Sequence, residues 1–388
     1  MTVMQKEQLL ATPLEDFGSW ESWLEAIEAQ RDLPNESKQA ALSGLRLLRE
    51  AFGEAWLGEA IHARHPFLAN LVNEAPWTRW WIGEIGQSIW ALRHVLGFKV
   101  LLARLKQARE CAGAFVELSM ASRIQEAGFI VELSPAIHDT ARLAEGVKGV
   151  APDIVVPGNP SIYIELTALR ASEEWREAHR TLTGLSPLRF GDPEVATGGQ
   201  INRILSDQQI AEYQRRIPQL IERVRATKTP EQIHDENLDF YIAPVSDKER
   251  IARWDQERKV NHLAGPFLRP RALVRLCRAL REKVKQIPTD GAGVIILYDN
   301  HVQYEAERSS IIDSLTSAIR EYPHVAGAAL VSERVSVEEP ETRVVDYANG
   351  MLISRLIDRI FREDLLFVWN PAARFPLSKD LLLRLLSK

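Results

Sequence analysis

The chain has 388 residues, 45% hydrophobic and 26% charged, with a formal net charge of −5 at pH 7. This is the composition of a folded globular protein longer than one average domain, and it excludes a largely disordered chain and a uniformly basic, histone-like nucleic-acid binder, though not a local basic groove. Its two cysteines, Cys111 and Cys277, lack CxxC spacing, which excludes a disulfide framework and a cysteine zinc site; with no signal-like or long uncharged apolar run, the expectation is a cytoplasmic protein without membrane association.

The first 105 residues carry helical periodicity. Asp16 to Ala29, Lys38 to Phe52 and Ile82 to Phe98 each repeat apolar residues at three- and four-residue steps, with breaks near Pro34, Pro66 and Pro76, so residues 1–105 are expected to form an α-helical module. Seven tryptophans fall within it: Trp20, Trp23, Trp56, Trp77, Trp80, Trp81 and Trp90. Such rings can stack on bases, but packing between helices is their commoner use. His62 and His65 lie one helical turn apart without an HExxH or carboxylate context, which favours exposed or capping histidines over a metal pair.

A helix is expected from Leu101 to Ala127, loosened at Gly113, followed by a strand from Phe129 to Leu133. Glu117 precedes Met120, Ala121 and Ile124 by three, four and seven residues and so shares the inward edge of that helix. An acid there needs a partner, a cation or a route to solvent. After a polar loop, Pro152 to Thr167 (PDIVVPGNPSIYIELT) reads as two strands around a Pro/Gly/Asn turn. Period-2 alternation places Glu165 and Thr167 on one face and Ile164 and Leu166 on the other. Acids thus occur on three successive elements: Glu117, Asp153 and Glu165.

Residues 168–267 lose the regular pattern: one helix from Arg203 to Arg225 is expected, and prolines together with Gly198–Gly199 punctuate the remainder. This reads as an insertion, part helix and part loop, rather than a separate compact domain. The helical pattern returns from Arg271 to Ile287, where Leu273, Leu276, Cys277, Leu280, Val284 and Ile287 form an apolar stripe. The same helix carries Arg271, Arg275, Arg278, Arg281, Lys283 and Lys285 against Glu282 alone. Both a solvated face and a phosphate-contacting surface fit that charge. A buried strand, Gly293 to Tyr298, a helix from Tyr304 to Tyr322 and a strand, Ala326 to Val331, complete a core of residues 106–167 and 268–335. The closing region, 336–388, is expected to hold a helix from Met351 to Arg362, a strand from Leu365 to Trp369 and a terminal helix after Pro376.

The runs FVELSMASRIQEAGFIVEL, APDIVV, SIYIELT, LREKVKQI and GVIILYD, in that order, resemble the PD-(D/E)xK nucleases, the restriction-endonuclease-like superfamily. The resemblance implies an α/β fold with an αβββαβ core, a central mixed sheet flanked by helices, to which the N-terminal module and the partly helical insertion are added. It also implies that Pro152 and Asp153 are the motif's "PD", Glu165 its second acid, Glu117 the acid of the first core helix, and Lys283 and Gln286 the polar pair of the helix after the hairpin. Magnesium, with manganese as a substitute, is the implied cofactor, held by Asp153, Glu165, the Leu166 carbonyl and Glu117. Hydrolysing a phosphodiester needs a cation to neutralise non-bridging oxygens and lower the pKa of the attacking water, and oxygen donors suit magnesium.

The sequence departs from the family at Thr167, where the motif has lysine, and a threonine hydroxyl supplies no positive charge. Lys283, Lys285 and Arg170 are the residues able to supply it. The expected function is metal-dependent hydrolysis of DNA, duplex rather than single-stranded, in restriction, repair or anti-phage defence, with Arg271, Arg275, Arg278, Lys283 and Lys285 against the phosphates and a partner subunit or second copy of the chain allowed. The alternative is an inactive nuclease fold acting as a nucleic-acid- or protein-binding subunit. There is no G-x-S-x-G, G-x-x-x-x-G-K-[ST] or H-E-x-x-H to support other hydrolase or nucleotide-dependent chemistry.

Overall fold

Proline and glycine set the ends of the first helices. The computed structural model describes residues 18–139, 142, 149–169, 173–185, 194–247, 249–250, 253, 263–266, 272–299, 307–335, 342–358 and 361–386. Helix α1 (Trp20–Ala29) starts at a Ser19 side-chain cap. Helix α2 (Asn35–Phe52) follows Pro34 and stops at Gly53, whose φ of 84° ends the helical turn. Short helices α3 (Trp56–His62) and α4 (Leu68–Val72) lead to α5 (Pro76–Leu92), with Pro76 in its first turn. Helices α2 and α5 cross backbone to backbone: a Cβ on Gly44 would lie 2.3 Å from the Ile82 carbonyl oxygen, and one on Gly86 would lie 2.5 Å from Gly44 Cα.

The helix expected from Leu101 to Ala127 is two helices, α6 (Phe98–Leu105) and α7 (Cys111–Glu126). Side chains claim the carbonyls at the break. His65 Nε2 bonds the Leu105 carbonyl at 3.1 Å, and Trp56 Nε1 donates to that of Lys106 at 3.4 Å. A continuous helix would have used both for its own amides. Strands β1 (Glu132–Leu133), β2 (Ile154–Val156) and β3 (Ile162–Ala168) follow.

Residues Arg170–Pro270 form a compact unit, which differs from the expected mixture of helix and loop. Its helices α8 (Glu173–Leu185) and α9 (Asp207–Thr227) accompany strands β4 (Val195–Ile201), β5 (Glu231–His234), β6 (Leu238–Pro244) and β7 (Leu263–Ala264), which form a four-stranded sheet in the order β5-β6-β4-β7. Ile201, Ile217, Val224, Ile233, Leu238 and Phe240 are among its own buried core. Gly198–Gly199, expected to break structure, lie within β4 opposite Tyr241 and Phe240. A Cβ at Gly199 would come within 2.1 Å of the Asp239 carbonyl oxygen, so the glycines mark a close approach between strands.

The other unit, Met1–Leu169 with Arg271–Lys388, continues with α10 (Ala272–Val284), β8 (Ala292–Tyr298), α11 (Arg308–Ile319), β9 (Val325–Val335), β10 (Arg343–Tyr347), β11 (Gly350–Asp358), β12 (Phe361–Trp369) and α12 (Lys379–Leu386). Its eight strands make one mixed sheet in the order β1-β2-β3-β8-β9-β12-β11-β10. β1, β2 and β3 are antiparallel neighbours, β3, β8 and β9 run parallel, and β9, β12, β11 and β10 are antiparallel.

Side-chain alternation fills both faces of the sheet. Ile162, Ile164 and Leu166 pack in one core with Leu118, Ala121 and Ile124 of α7, whereas Tyr163, Ile295 and Leu297 pack in another with Leu276, Leu280 and Val284 of α10 and Ile311 and Leu315 of α11. The helix expected from Met351 to Arg362 is instead β11, paired on both sides, and the first residues of β12. Met351 and Ile353 enter the first core and Leu352 the second, so a short apolar run compatible with either periodicity resolves as a strand buried on both faces. Among the described residues, no helix is long and apolar enough to cross a membrane.

Candidate functional site

The β2–β3 hairpin positions two acids. Ile154 pairs with Ile164, and Asp153 lies one residue before that pair, beside Glu165. Here β2 has not yet begun, and the Leu166 amide, beyond the β2–β3 pairing, donates to Asp153 Oδ2 at 2.8 Å. Glu165 points to the α10 face and is fully buried. Its Oε1 accepts from Lys283 Nζ at 2.5 Å, while Oε2 is buried and receives no hydrogen bond. Lys283 sits in the last turn of α10 with part of its side chain exposed.

Glu117 joins from α7. It is buried, and Arg104 Nη1 donates to Oε2 at 2.5 Å and Ser134 Oγ to Oε1 at 3.2 Å, which offsets part of the cost of its burial. Ser134 has a φ of 43°, just past β1, and its amide donates to the Asp153 carbonyl, which ties this turn to the start of β2.

Three carboxyls withdrawn from water oppose ionisation. Burial, reinforced by the Asp153 carboxylate, pushes Glu165 up to about 8 despite the opposing Lys283 ammonium. The same two causes push Glu117 up to about 7 against Arg104. Burial also raises Asp153, opposed by the Leu166 amide, Lys283 and Arg104. A divalent cation between Asp153 and Glu165 would relieve this repulsion. The unfilled Glu165 oxygen and the all-oxygen donor set of Asp153 and Glu165 fit magnesium, which needs only one or two carboxylates beside water and substrate oxygens. Among the described residues, no group of three or more His, Cys, Asp and Glu forms a ready-made metal cage.

The remaining expected residues are dispersed around this centre. Thr167 is half-buried on β3 opposite Leu297, two residues beyond Glu165 on the same face, and Lys283 rather than Thr167 brings a charge to the acids. Lys285 is exposed and pairs with Glu282 at 3.3 Å. Gln286 lies just beyond α10 with its backbone amide on the Lys283 carbonyl, and no hydrogen bond joins its side chain to the carboxylates. Arg275 pairs with buried Asp299 at 2.6 Å, and Arg278 is exposed on α10. Arg271 and Arg170 lie outside the described residues.

Two residues of the site went unrecognised in the sequence. Arg104 carries an ordinary signal, a charge on an amphipathic helix, and Ser134 reads as the start of a polar loop. The histidines do not form a metal pair: His62 is exposed, and His65 is buried with Nδ1 accepting from the Phe67 amide and Nε2 on Leu105. Trp20, Trp23 and Trp56 belong to the core, while Trp77, Trp80 and Trp90 retain exposed surface. No family model, curated protein or solved structure matches this chain.

Proposed function

We propose that the protein is a magnesium-dependent nuclease that hydrolyses DNA phosphodiester bonds, built on a restriction-endonuclease-like core and acting in restriction, repair or anti-phage defence. The observation that carries this reading is the 2.5 Å contact between Lys283 Nζ and Glu165, which brings a cation to the two acids of the hairpin although Thr167 stands at the motif's lysine position. The element order supports it as well: α7, the antiparallel β1–β2–β3, the crossing helix α10 and parallel β8 follow the αβββαβ order of that superfamily.

In this reading Asp153 and Glu165 hold the cation, which would neutralise a non-bridging phosphate oxygen and lower the pKa of the attacking water. Asp153 is oriented by the Leu166 amide, and Glu165 is fixed by its rigid strand and by Lys283. Lys283 hydrogen-bonds the attacking water and stabilises charge that develops on the phosphate. Arg278 and Lys285, exposed on the same helix, are the duplex contacts this reading assigns.

Thr167 favours one other reading, a nuclease-like fold that binds nucleic acid or a protein partner without cleaving. Incubating plasmid DNA with magnesium and the protein separates the two. Nicking by the wild type and loss of at least about 100-fold in Asp153→Ala and Glu165→Ala are expected for the enzyme; equal nicking by all three removes the site, and no nicking by any favours the binding subunit.

A further inference from the structure

Glu117 and Glu165 are both fully buried acids at this centre, yet their oxygens are used differently. Glu165 leaves Oε2 without a donor, so it has a coordination position to offer. Both oxygens of Glu117 are taken, one by Arg104 and the other by Ser134. Arg104 comes from α6, outside the αβββαβ series, and keeps over a quarter of its side chain exposed. Its Nε approaches the more exposed Glu110 at 3.5 Å, a long contact. A guanidinium carries five donors, and one anchored through Nη1 keeps others for a second oxyanion. At Gly113, on the first turn of α7, even an added Cβ would lie no nearer than 4.0 Å to Arg104 Nη2, an ordinary contact, so this part of α7 does not crowd that end of the guanidinium.

We propose that Glu117 is not a cation ligand but the anchor of Arg104, that Asp153 and Glu165 hold a single cation between them, and that Arg104 binds the DNA phosphate at the reacting centre. This rests on the metal-dependent reading above. It changes that reading's donor set, because Glu117 leaves the cation and Arg104 joins the substrate contacts. A guanidinium spanning a buried carboxylate and a phosphate fixes the phosphate's orientation in a way that a mobile surface lysine does not.

The test measures metal and DNA binding separately, without relying on turnover. Magnesium is titrated calorimetrically into the wild type, Glu117→Gln and Asp153→Asn. One ion per chain is expected, with affinity within about threefold of wild type in Glu117→Gln and at least about tenfold weaker in Asp153→Asn. Duplex binding is then measured in calcium between low and moderate salt for the wild type and for Arg104→Gln/Glu117→Gln, a pair that leaves no buried charge unmatched. The double variant is expected to bind magnesium like the wild type, while the slope of log affinity against log salt falls by about one, the signature of one lost phosphate contact. A loss of magnesium affinity in Glu117→Gln equal to that in Asp153→Asn overturns the anchor role and leaves the metal centre standing. An unchanged salt slope in the double variant overturns the phosphate contact. Unchanged magnesium binding in Asp153→Asn removes the metal centre itself, a different failure.

Discussion

Asp153 sits where a protein built for stability alone would not place a charge, half-buried beside Glu165 and raising the cost of ionising both Glu165 and Glu117. Asp153→Asn retains an acceptor for the Leu166 amide and removes the repulsion. The expected result in chelator-treated protein is a gain of about 1 kcal/mol in urea unfolding, as at other sites that hold strain for function; a loss of stability would contradict the repulsion. His65 gives a pH signature of opposite origin. Burial lowers its pKa to about 4, against the ordinary 6.5 of an unfolded chain. The unfolded state therefore takes up the proton first, so stability is complete above pH 6.5 and declines as the pH falls toward 4. At pH 5 the decline from this group is about 2 kcal/mol. Glu117 and Glu165, raised by burial, act in the opposite sense over the same range, so the readout is a difference. Between pH 7 and pH 5 the change in urea-unfolding stability should be about 2 kcal/mol less favourable in the wild type than in His65→Gln, and equal changes would show that His65 does not titrate in this way.

Among the elements, the crossing of α2 and α5 depends on the absence of a side chain at Gly44, since a methyl group there meets the Ile82 carbonyl. Gly44→Ala is expected to destabilise by about 1 to 3 kcal/mol, more than its better helix propensity returns, as a fall in thermal midpoint would show. A second junction is ionic: Arg123 of α7 meets both oxygens of Glu363 on β12, at 3.2 and 3.0 Å, with Arg355 on the same carboxylate at 2.9 Å. Arg123→Met removes one partner from a nearly buried group and is expected to cost about 3 kcal/mol or more, whereas a surface pair such as Lys285–Glu282 contributes little. The hairpin acids were legible in the sequence because strand alternation fixes which side chains share a face. Lys283 was a candidate through the basic charge of α10 and the resemblance, which named it beside Gln286 and left Lys285 and Arg170 as alternatives. Neither signal applies to Arg104, whose contact with Glu117 depends on where α6 breaks from α7, and that break is made by His65 and Trp56 from distant sequence. β11 was misread as helix because a run of adjacent apolar residues satisfies both periodicities, and only its two neighbouring strands decide between them.

For the whole molecule, one large mixed sheet buries apolar side chains on both faces, and that rigidity allows a hairpin to hold buried carboxylates in place. The unit Arg170–Pro270 has its own core and sheet; β4 and β6 went unread because Gly198–Gly199 and Pro244 are residues that elsewhere signal turns, and β5 and β7, of four and two residues, are too short to show a pattern. In the proposed nuclease reading Lys283 takes the place of the motif's lysine, because it reaches Glu165 from the face of β3 that Thr167 shares. The most direct measurement is single-turnover cleavage of a labelled duplex in magnesium by wild type, Lys283→Met and Lys283→Met/Thr167→Lys. A fall of about 100-fold or more in the single variant is predicted, with recovery of at least about tenfold in the double variant, where the cation returns from the strand. Cleavage by Lys283→Met at the wild-type rate would contradict the account.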